Sequence, residues 1–308
     1  MIVAGWLWAL FTIAAAFFQT LRNAMQRELT RGLGTIGATH VRFLFGFPFS
    51  LLFLLGLIVF TGTPLPRPGW TFWPWAIDGA FAQVAATALM LLAMGERSFV
   101  VTIAYLKTEP IQVAIFGLIF LGDRVSLPMA IAIVVATAGV IIMSIPGLGL
   151  AGKRAMPGFT TGGLKPTLIG LASGGMFALS AVGFRGAILD LQLRDFVMAA
   201  TFTLVVGLLM QAVTLSIYLL LRRPTVVMAI VRAWKPSLFA GFMGAVASQF
   251  WFLAFALATA ASVRTLALVE VLFAQLVARF AFGQKTSARE ALGMALVVLG
   301  VVLLILVH

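Results

Sequence analysis

The sequence contains no cysteine and only two histidines, His40 and His308. Disulfide bonds and thiolate metal sites are therefore excluded, and a histidine-based metal centre is disfavoured. The phosphate-binding pattern G-x-x-x-x-G-K-[ST] is also missing, so the chain encodes no ATPase of that type. No Ser-His-Asp set stands out among the remaining residues. We therefore expect no enzymatic activity, no metal and no cofactor.

Charged residues are scarce as well. They make up 10% of the 308 residues, whereas 62% of the residues are hydrophobic. A soluble domain is nearer half apolar and a quarter charged. The net charge of +12 is spread over short loops and forms no basic domain, so we expect contact with a lipid bilayer and none with nucleic acid. This composition predicts a multi-pass membrane protein.

Ten apolar runs predict an all-α membrane protein with ten transmembrane helices. The first run lacks a basic leader and a cleavage motif, so we expect it to be retained as a span. The longest polar break, 147–166, is rich in glycine, proline and charge, and it divides the spans into five and five. The predicted spans are 3–21, 34–59, 72–94, 98–120, 125–145, 167–188, 196–221, 236–258, 262–282 and 287–307.

The stretch from Thr108 to Gly139 returns in the second half at a constant offset of 161 residues. Because five is an odd number of spans, a second copy must enter the membrane from the opposite side. We therefore predict a first five-helix repeat at 1–146, an inter-repeat loop at 147–166 and an inverted second repeat at 167–308. The identical pairs are Glu109 and Glu270, Gly122 and Gly283, Ser126 and Ser287, Ala130 and Ala291, Gly139 and Gly300, and Val140 and Val301.

The distribution of lysine and arginine predicts the orientation of these spans. Basic residues are enriched on the cytoplasmic side of membrane proteins. The richer set of loops carries Arg22, Arg27, Arg31, Arg97, Lys153, Arg154, Lys165, Arg222, Arg223, Arg232, Lys235, Lys285 and Arg289. The opposite set carries Arg67, Arg124, Arg194 and Arg264. Both termini are then predicted to lie outside, with Trp6, Trp8, Trp70, Trp73 and Trp75 in a belt at the outer interface.

Polar side chains inside the predicted spans are the candidate functional groups, because lipid makes each of them costly. His40 can gain or lose a proton near neutral pH, although it could equally be a histidine bonded within a packed interface. Trp251 lies deep in a span and must place its N–H on a partner. Arg42 is expected to reach the cytoplasmic surface. The candidates for the substrate cavity are His40, Gln83, Tyr105, Gln249 and Trp251.

Lys107, Glu109 and Glu270 are the candidates for gating or coupling. Lys107 and Glu109 lie two residues apart and point to nearly opposite sides of their helix, which Pro110 loosens. A carboxylate beside a broken helix suits an ion or substrate site. Alternatively, because Glu109 and Glu270 are repeat-related, each could accept bonds from the partner repeat and serve a structural role.

Toward its end, each half contains an acidic residue, then twelve intervening residues, and then the pattern G-[D/Q]-x-x-S. These residues are Glu109-Pro110 with Leu121-Gly122-Asp123, and Glu270-Val271 with Phe282-Gly283-Gln284. The pattern, together with ten spans as two inverted fives, resembles the EamA branch of the drug/metabolite transporter superfamily. Asp123 and Gln284 depart from the glutamate that many members carry at the turn. Within that branch the chain looks most like the YddG-type aromatic amino acid exporters.

This resemblance implies a central cavity between the halves and the export of amino acids. We therefore predict a monomeric transporter of the cell inner membrane that exports neutral and aromatic amino acids by alternating access. The alternative is a multidrug exporter of lipophilic cations, for which Glu109 or Glu270 would have to face the cavity as a free carboxylate. A non-transporting membrane scaffold or sensor is a third hypothesis.

Overall fold

The computed structural model describes residues 2–93, 106–144, 164–273, 275–276 and 287–307. Within these ranges the chain is helical and contains no β-strand. The helix Glu109–Phe116 continues as a π-helical turn, Gly117–Leu121, and the helix Ala260–Leu266 continues as a 3-10 turn, Ala267–Val269. The numbered helices are α1 Ile2–Leu44, α2 Gly46–Thr61, α3 Phe72–Ala93, α4 Glu109–Phe116, α5 Leu127–Ser144, α6 Leu164–Asp190, α7 Phe196–Arg222, α8 Pro224–Arg232, α9 Trp234–Leu257, α10 Ala260–Leu266 and α11 Ala288–Val307.

Six helical segments in the described ranges are long and apolar enough to cross a membrane. Two shorter apolar helices, Glu109–Leu121 and Leu127–Met143, accompany them. The predicted all-α membrane architecture is confirmed at this level. The six segments are Glu28–Thr61, Phe72–Leu92, Leu168–Asp190, Phe196–Arg222, Trp234–Leu257 and Ala288–Val307.

Helix α1 is longer than the sequence predicts. The segment between the first two predicted spans is helical, and α1 is interrupted only at Gly34 (φ 68°, ψ 175°), a conformation that glycine adopts without strain. Polar residues do not by themselves end a helix, so the predicted loop around Arg22 is wrong. Arg22 is 2% exposed. Arg42 is also buried and does not reach the surface as predicted.

The tryptophans of the predicted outer belt differ in their exposure. Trp70 is 91% exposed, and Trp6 and Trp73 are exposed as well. Trp8, in contrast, is 3% exposed and belongs to the hydrophobic core. Position along a span does not reveal which side of a helix faces its neighbours.

Three helix pairs dominate the packing: α3 lies along α6, α1 along α9, and α5 along α11. Glycine allows the backbones to approach closely in the first pair, where a Cβ on Gly183 would lie 2.7 Å from the Gly79 nitrogen. Close approach of this kind holds helices together where lipid offers no hydrophobic driving force.

The close contacts between α5 and α11 occur twice, at positions that correspond to each other at the 161-residue offset. A Cβ on Gly139 would lie 2.8 Å from the nitrogen of Val297, and a Cβ on Gly300 would lie 2.6 Å from the nitrogen of Ala136. At the offset, Gly139 corresponds to Gly300 and Ala136 to Val297. The two contacts therefore exchange with each other when the two halves are exchanged.

Both halves leave the α-helical conformation just before the repeat-related glutamate. A turn at Lys107 and Thr108 precedes α4, which begins at Glu109 with Pro110 in its first turn, where a missing N–H costs no helical hydrogen bond. In the second half the 3-10 turn precedes Glu270. The predicted turn glycine of the first half is confirmed, because Gly122 ends the π-helical turn with φ 68°.

Candidate functional site

A charged cavity of about 120 Å³ lies between the first half of the chain, residues 2–144, and the second half, residues 164–307. A second chamber of about 20 Å³, room for about one water molecule, adjoins it. Gln19, Phe177 and Arg264 line both spaces. The polar groups around the larger space are Gln19, Arg22, Asn23, Lys107, Glu109, Arg264 and Glu270. The smaller space is walled by Phe177, Phe184, Trp251, Phe252 and Phe255, with Arg42 and Gln83.

A ring of polar contacts closes around the larger cavity. Lys107 forms an ion pair with Glu270, and Arg264 forms one with Glu109. Gln19 donates to the second oxygen of Glu270 (2.9 Å) and accepts from the indole N–H of Trp251 (3.1 Å). The Arg264 guanidinium lies 4.8 Å from the Trp251 ring centre, in cation–π contact. We call Gln19, Lys107, Glu109, Trp251, Arg264 and Glu270 the polar circuit.

Most contacts of the polar circuit join one half of the chain to the other. Both ion pairs do so, and so do both hydrogen bonds of Gln19; only the contact of Arg264 with Trp251 lies within the second half. The sequence also suggested a structural role for Glu109 and Glu270, in which each glutamate accepts bonds from the other repeat. These contacts match that alternative. The circuit therefore holds the two halves together at the cavity.

Two arginines beside the cavity lack full hydrogen bonding. Arg22 donates through Nη2 to Asn23 (2.7 Å), and Arg42 donates through Nη1 to Thr87 (3.1 Å). Nε and Nη1 of Arg22 and Nε of Arg42 have no partner among the described residues. Burial leaves these donors without bulk water, which is a costly arrangement. Both side chains pack on Gly244, whose Cβ, if present, would lie 3.3 Å from Arg22 Cδ and 3.7 Å from Arg42 Cγ.

The structure brings together five of the eight residues predicted for the site. Lys107, Glu109 and Glu270 line the larger cavity, and Gln83 and Trp251 line the adjoining chamber. Gln83 also accepts a hydrogen bond from Gln211 (2.9 Å), which fixes its amide.

The other three predicted residues are placed differently or lie outside the described part of the chain. His40 is buried against Ser216, with 3.1 Å between its Nε2 and the hydroxyl, and it lines neither space. Gln249 donates to Thr201 (2.9 Å) and also lines neither. Tyr105 lies outside the described residues.

Sequence reasoning missed Gln19, Arg22 and Arg264. Both arginines were predicted as loop charges that set the orientation, and both line the cavity instead. Arg22 lies one residue beyond the first predicted span, where a charge is expected by default. Arg264 lies inside the predicted ninth span, 262–282, so its cost in lipid was a signal that could have identified it.

A separate buried ion pair stands away from the cavity. Arg185 on α6 lies 3.5 Å from a carboxylate oxygen of Asp123 and donates to the carbonyls of Phe255 (2.6 Å) and Ala258 at the end of α9. Asp123, one of the two departures from the family pattern, therefore ties the turn after α4 to α6 and α9. Its shorter side chain has a structural partner in this chain.

Comparisons with known proteins agree with this architecture. A crystal structure of a protein superposes with a TM-score of 0.70 at 15% sequence identity, covering 98% of this chain and 95% of the other. At that identity the likeness shows the fold alone. The search of curated protein sequences returns no significant match. Residues 6–145 match the EamA-like transporter family. The family predicted from the sequence is therefore confirmed over the matched segment, residues 6–145.

Proposed function

We propose that the protein exports amino acids by alternating access through the cavity between its two halves. One observation carries the proposal: a small, charged cavity lies at the interface of the halves and is closed by contacts that run from one half to the other. A transporter needs such an arrangement, because breaking those contacts on one side opens a path to the substrate.

The packing supports two inverted five-helix repeats with boundaries at 1–146 and 167–308. At the 161-residue offset α1 corresponds to α6 and α3 to α9, so the α3–α6 and α1–α9 pairs exchange when the halves are exchanged. The α5–α11 pair maps onto itself through the reciprocal contacts of Gly139 and Gly300. A local twofold relation between the halves would produce this exchange of the three major helix pairs, so the packing supports the inverted-repeat arrangement that we propose.

Lys107, Glu109 and Glu270 act as gating residues in this proposal. Each is partly buried and engaged across the interface, so separation of the halves must break both ion pairs. The irregular backbone before each glutamate gives the gate freedom to move, because a turn deforms more easily than a continuous helix.

The dimensions of the site favour an amino acid over a larger drug. Pockets for drug-sized ligands commonly measure about 300–1,000 Å³, whereas the central cavity measures about 120 Å³. Aromatic side chains, including Trp251, wall the small chamber beside it, in keeping with the YddG-type resemblance. Glu109 and Glu270 already form ion pairs with Arg264 and Lys107, so neither is the free carboxylate that a lipophilic cation needs.

The proposal includes an inner-membrane location, a monomer and termini on the periplasmic side. The surplus of basic residues in one set of predicted loops supports this orientation. A monomer suffices because the two halves of one chain supply both sides of the cavity.

Efflux from proteoliposomes tests the proposed function. Vesicles are loaded with labelled neutral, aromatic, acidic and basic amino acids and, separately, with a lipophilic cation. We expect efflux of one or more amino acid classes and none of the cation, with Lys107→Gln and Glu270→Gln each changing the rate. Efflux of the cation alone, or of no solute, would contradict amino acid export.

A further inference from the structure

We propose that Arg22 and Arg42 form the subsite for the anionic group of the substrate, so that the cavity takes a solute with a net negative charge and a carboxylate or phosphate. This inference rests on the proposed function, because it assumes that the cavity is the substrate site. The sequence analysis predicted other positions for both residues, Arg22 in a loop and Arg42 at the membrane surface.

The first support is the unused hydrogen-bonding capacity of the two guanidinium groups. Native proteins satisfy almost all buried polar groups, so three donor nitrogens on two buried side chains that find no partner among the described residues require an explanation. Both side chains are more than nine-tenths buried, and each borders the cavity system: Arg22 the larger space and Arg42 the smaller. A bound anion would supply the missing acceptors.

The second support is the way the two side chains are held. Asn23 and Thr87 each accept from one terminal nitrogen, while the glycine at position 244 lets both stems lie side by side. These contacts fix the guanidinium groups without using their remaining donors. A planar guanidinium fork matches the oxygens of a carboxylate or phosphate, and such charge-assisted bonds are stronger than neutral ones.

The third support is the charge balance of the described lining. Four cationic side chains border the two spaces, namely Arg22, Arg42, Lys107 and Arg264, against the two carboxylates of Glu109 and Glu270. Both carboxylates are engaged in ion pairs with Lys107 and Arg264, so neither of them neutralises Arg22 or Arg42. The excess of two positive charges is balanced fully by a solute with two net negative charges and partly by a solute with one.

Matched pairs of solutes test the proposal. Glutamate and glutamine have nearly the same shape but differ in charge, and phosphoserine and serine provide the same contrast with phosphate. Succinate and inorganic phosphate serve as probes without an ammonium group. Vesicles of phosphatidylcholine keep anionic lipid headgroups out of the assay. We expect efflux of glutamate or phosphoserine to exceed that of its neutral partner roughly tenfold or more, and whichever of the two succeeds identifies the anionic group.

Binding is measured separately from transport, by the shift in melting temperature of the detergent-solubilised protein. We expect succinate or phosphate to raise the melting temperature of the unaltered protein, since a ligand that binds only the folded state stabilises it. In Arg22→Gln and Arg42→Gln this shift and the anion preference should disappear. Without ligand these variants should melt no lower than the unaltered protein, because each loses a buried charge with unpaired donors.

Arg31→Gln is the matched control, because Arg31 lies on the same helix but is exposed, and its partner among the described residues is Glu28. It should keep both the shift and the preference. Equal efflux of glutamate and glutamine, unaffected by either cavity variant, would overturn the anion subsite and leave amino acid export standing. Anion binding without transport would support the subsite and overturn the proposed function. If neither anion binding nor transport is observed, both proposals are overturned. If the variants melt at a lower temperature without ligand but keep the anion-induced shift, the anion subsite alone is overturned.

Discussion

At the scale of single residues, the partly buried Glu109 and Glu270 differ from ordinary membrane carboxylates because each depends on a cation from the other half of the chain. Glu109 depends on Arg264, and Glu270 depends on Lys107 and Gln19. Desolvation makes each charge expensive on its own, so a buried pair is far more sensitive to the loss of one partner than to the loss of both.

The Glu109–Arg264 pair gives the first prediction. Arg264→Gln should lower the free energy of unfolding by about 3–5 kcal/mol, because it leaves an uncompensated carboxylate in a buried site. The double variant Glu109→Gln with Arg264→Gln should recover most of that loss. SDS-induced unfolding of the purified protein measures both. Arg67→Gln, at an exposed arginine, is the control and should change little. A double variant as unstable as the sum of its single variants would contradict the coupling.

Trp251 gives the second prediction, because its ring and its N–H have different partners. The ring contacts Arg264, whereas the N–H binds Gln19. Trp251→Phe keeps an aromatic face and should cost only about 1 kcal/mol, the value of one hydrogen bond. Trp251→Ala should cost about 3–5 kcal/mol, since a large buried ring is lost. Similar unfolding midpoints for the two variants would show that the ring carries no more stability than the N–H.

At the scale of helices, glycines determine where backbones meet and where a helix breaks. Gly34 interrupts α1 with no side chain near its Cβ position, so its conformation alone accounts for glycine there. Gly139 and Gly300 serve the opposite purpose, because their missing side chains let α5 and α11 touch backbone to backbone. The same residue type thus produces a break in one helix and close contact between two others.

Alanine substitutions at the α5–α11 crossing give the third prediction. Gly139→Ala and Gly300→Ala should each destabilise the protein by about 1–3 kcal/mol, because the added methyl group meets rigid backbone. The two losses should be similar, since the contacts are reciprocal. Gly56→Ala in α2 is the matched control: nothing lies near its Cβ position, so it should be neutral or stabilising by up to about 1 kcal/mol. A loss at Gly56 as large as at Gly139 would contradict close packing as the cause.

The elements of the fold were largely predictable, and the site was predictable in part. Apolar runs identify helices because lipid imposes a minimum length, and the repeated glutamates identified the interface because lipid penalises charge. The cost of charge in lipid did not identify Arg22, because a charged residue next to the end of an apolar run is predicted to lie in a loop whether or not the helix continues. The same reasoning also failed at His40, because a hydropathy pattern does not tell a cavity from a packed face. Only the three-dimensional arrangement shows which side a side chain faces.

At the scale of the whole molecule, the proposed alternating-access transport requires the halves to separate where the polar circuit joins them. The chain has no native cysteine, so thiols can be introduced at chosen positions only. In the variant Lys107→Cys with Glu270→Cys, a short thiol-specific cross-linker should abolish efflux, and cleavage of the linker should restore it. Each single variant should transport equally with and without the reagent. Unchanged efflux by the cross-linked protein would contradict separation at this point.

The two glutamates of the polar circuit are repeated, but their cations are not. At the 161-residue offset Lys107 corresponds to Leu268, and Arg264 corresponds to Ile103. If the halves exchange conformations, the arrangement on the other side of the cavity has no lysine or arginine at these positions to pair with the glutamates. The ion pairs therefore stabilise one access state alone. Without substrate most molecules should therefore occupy that state, and the free energy of solute binding has to drive each opening.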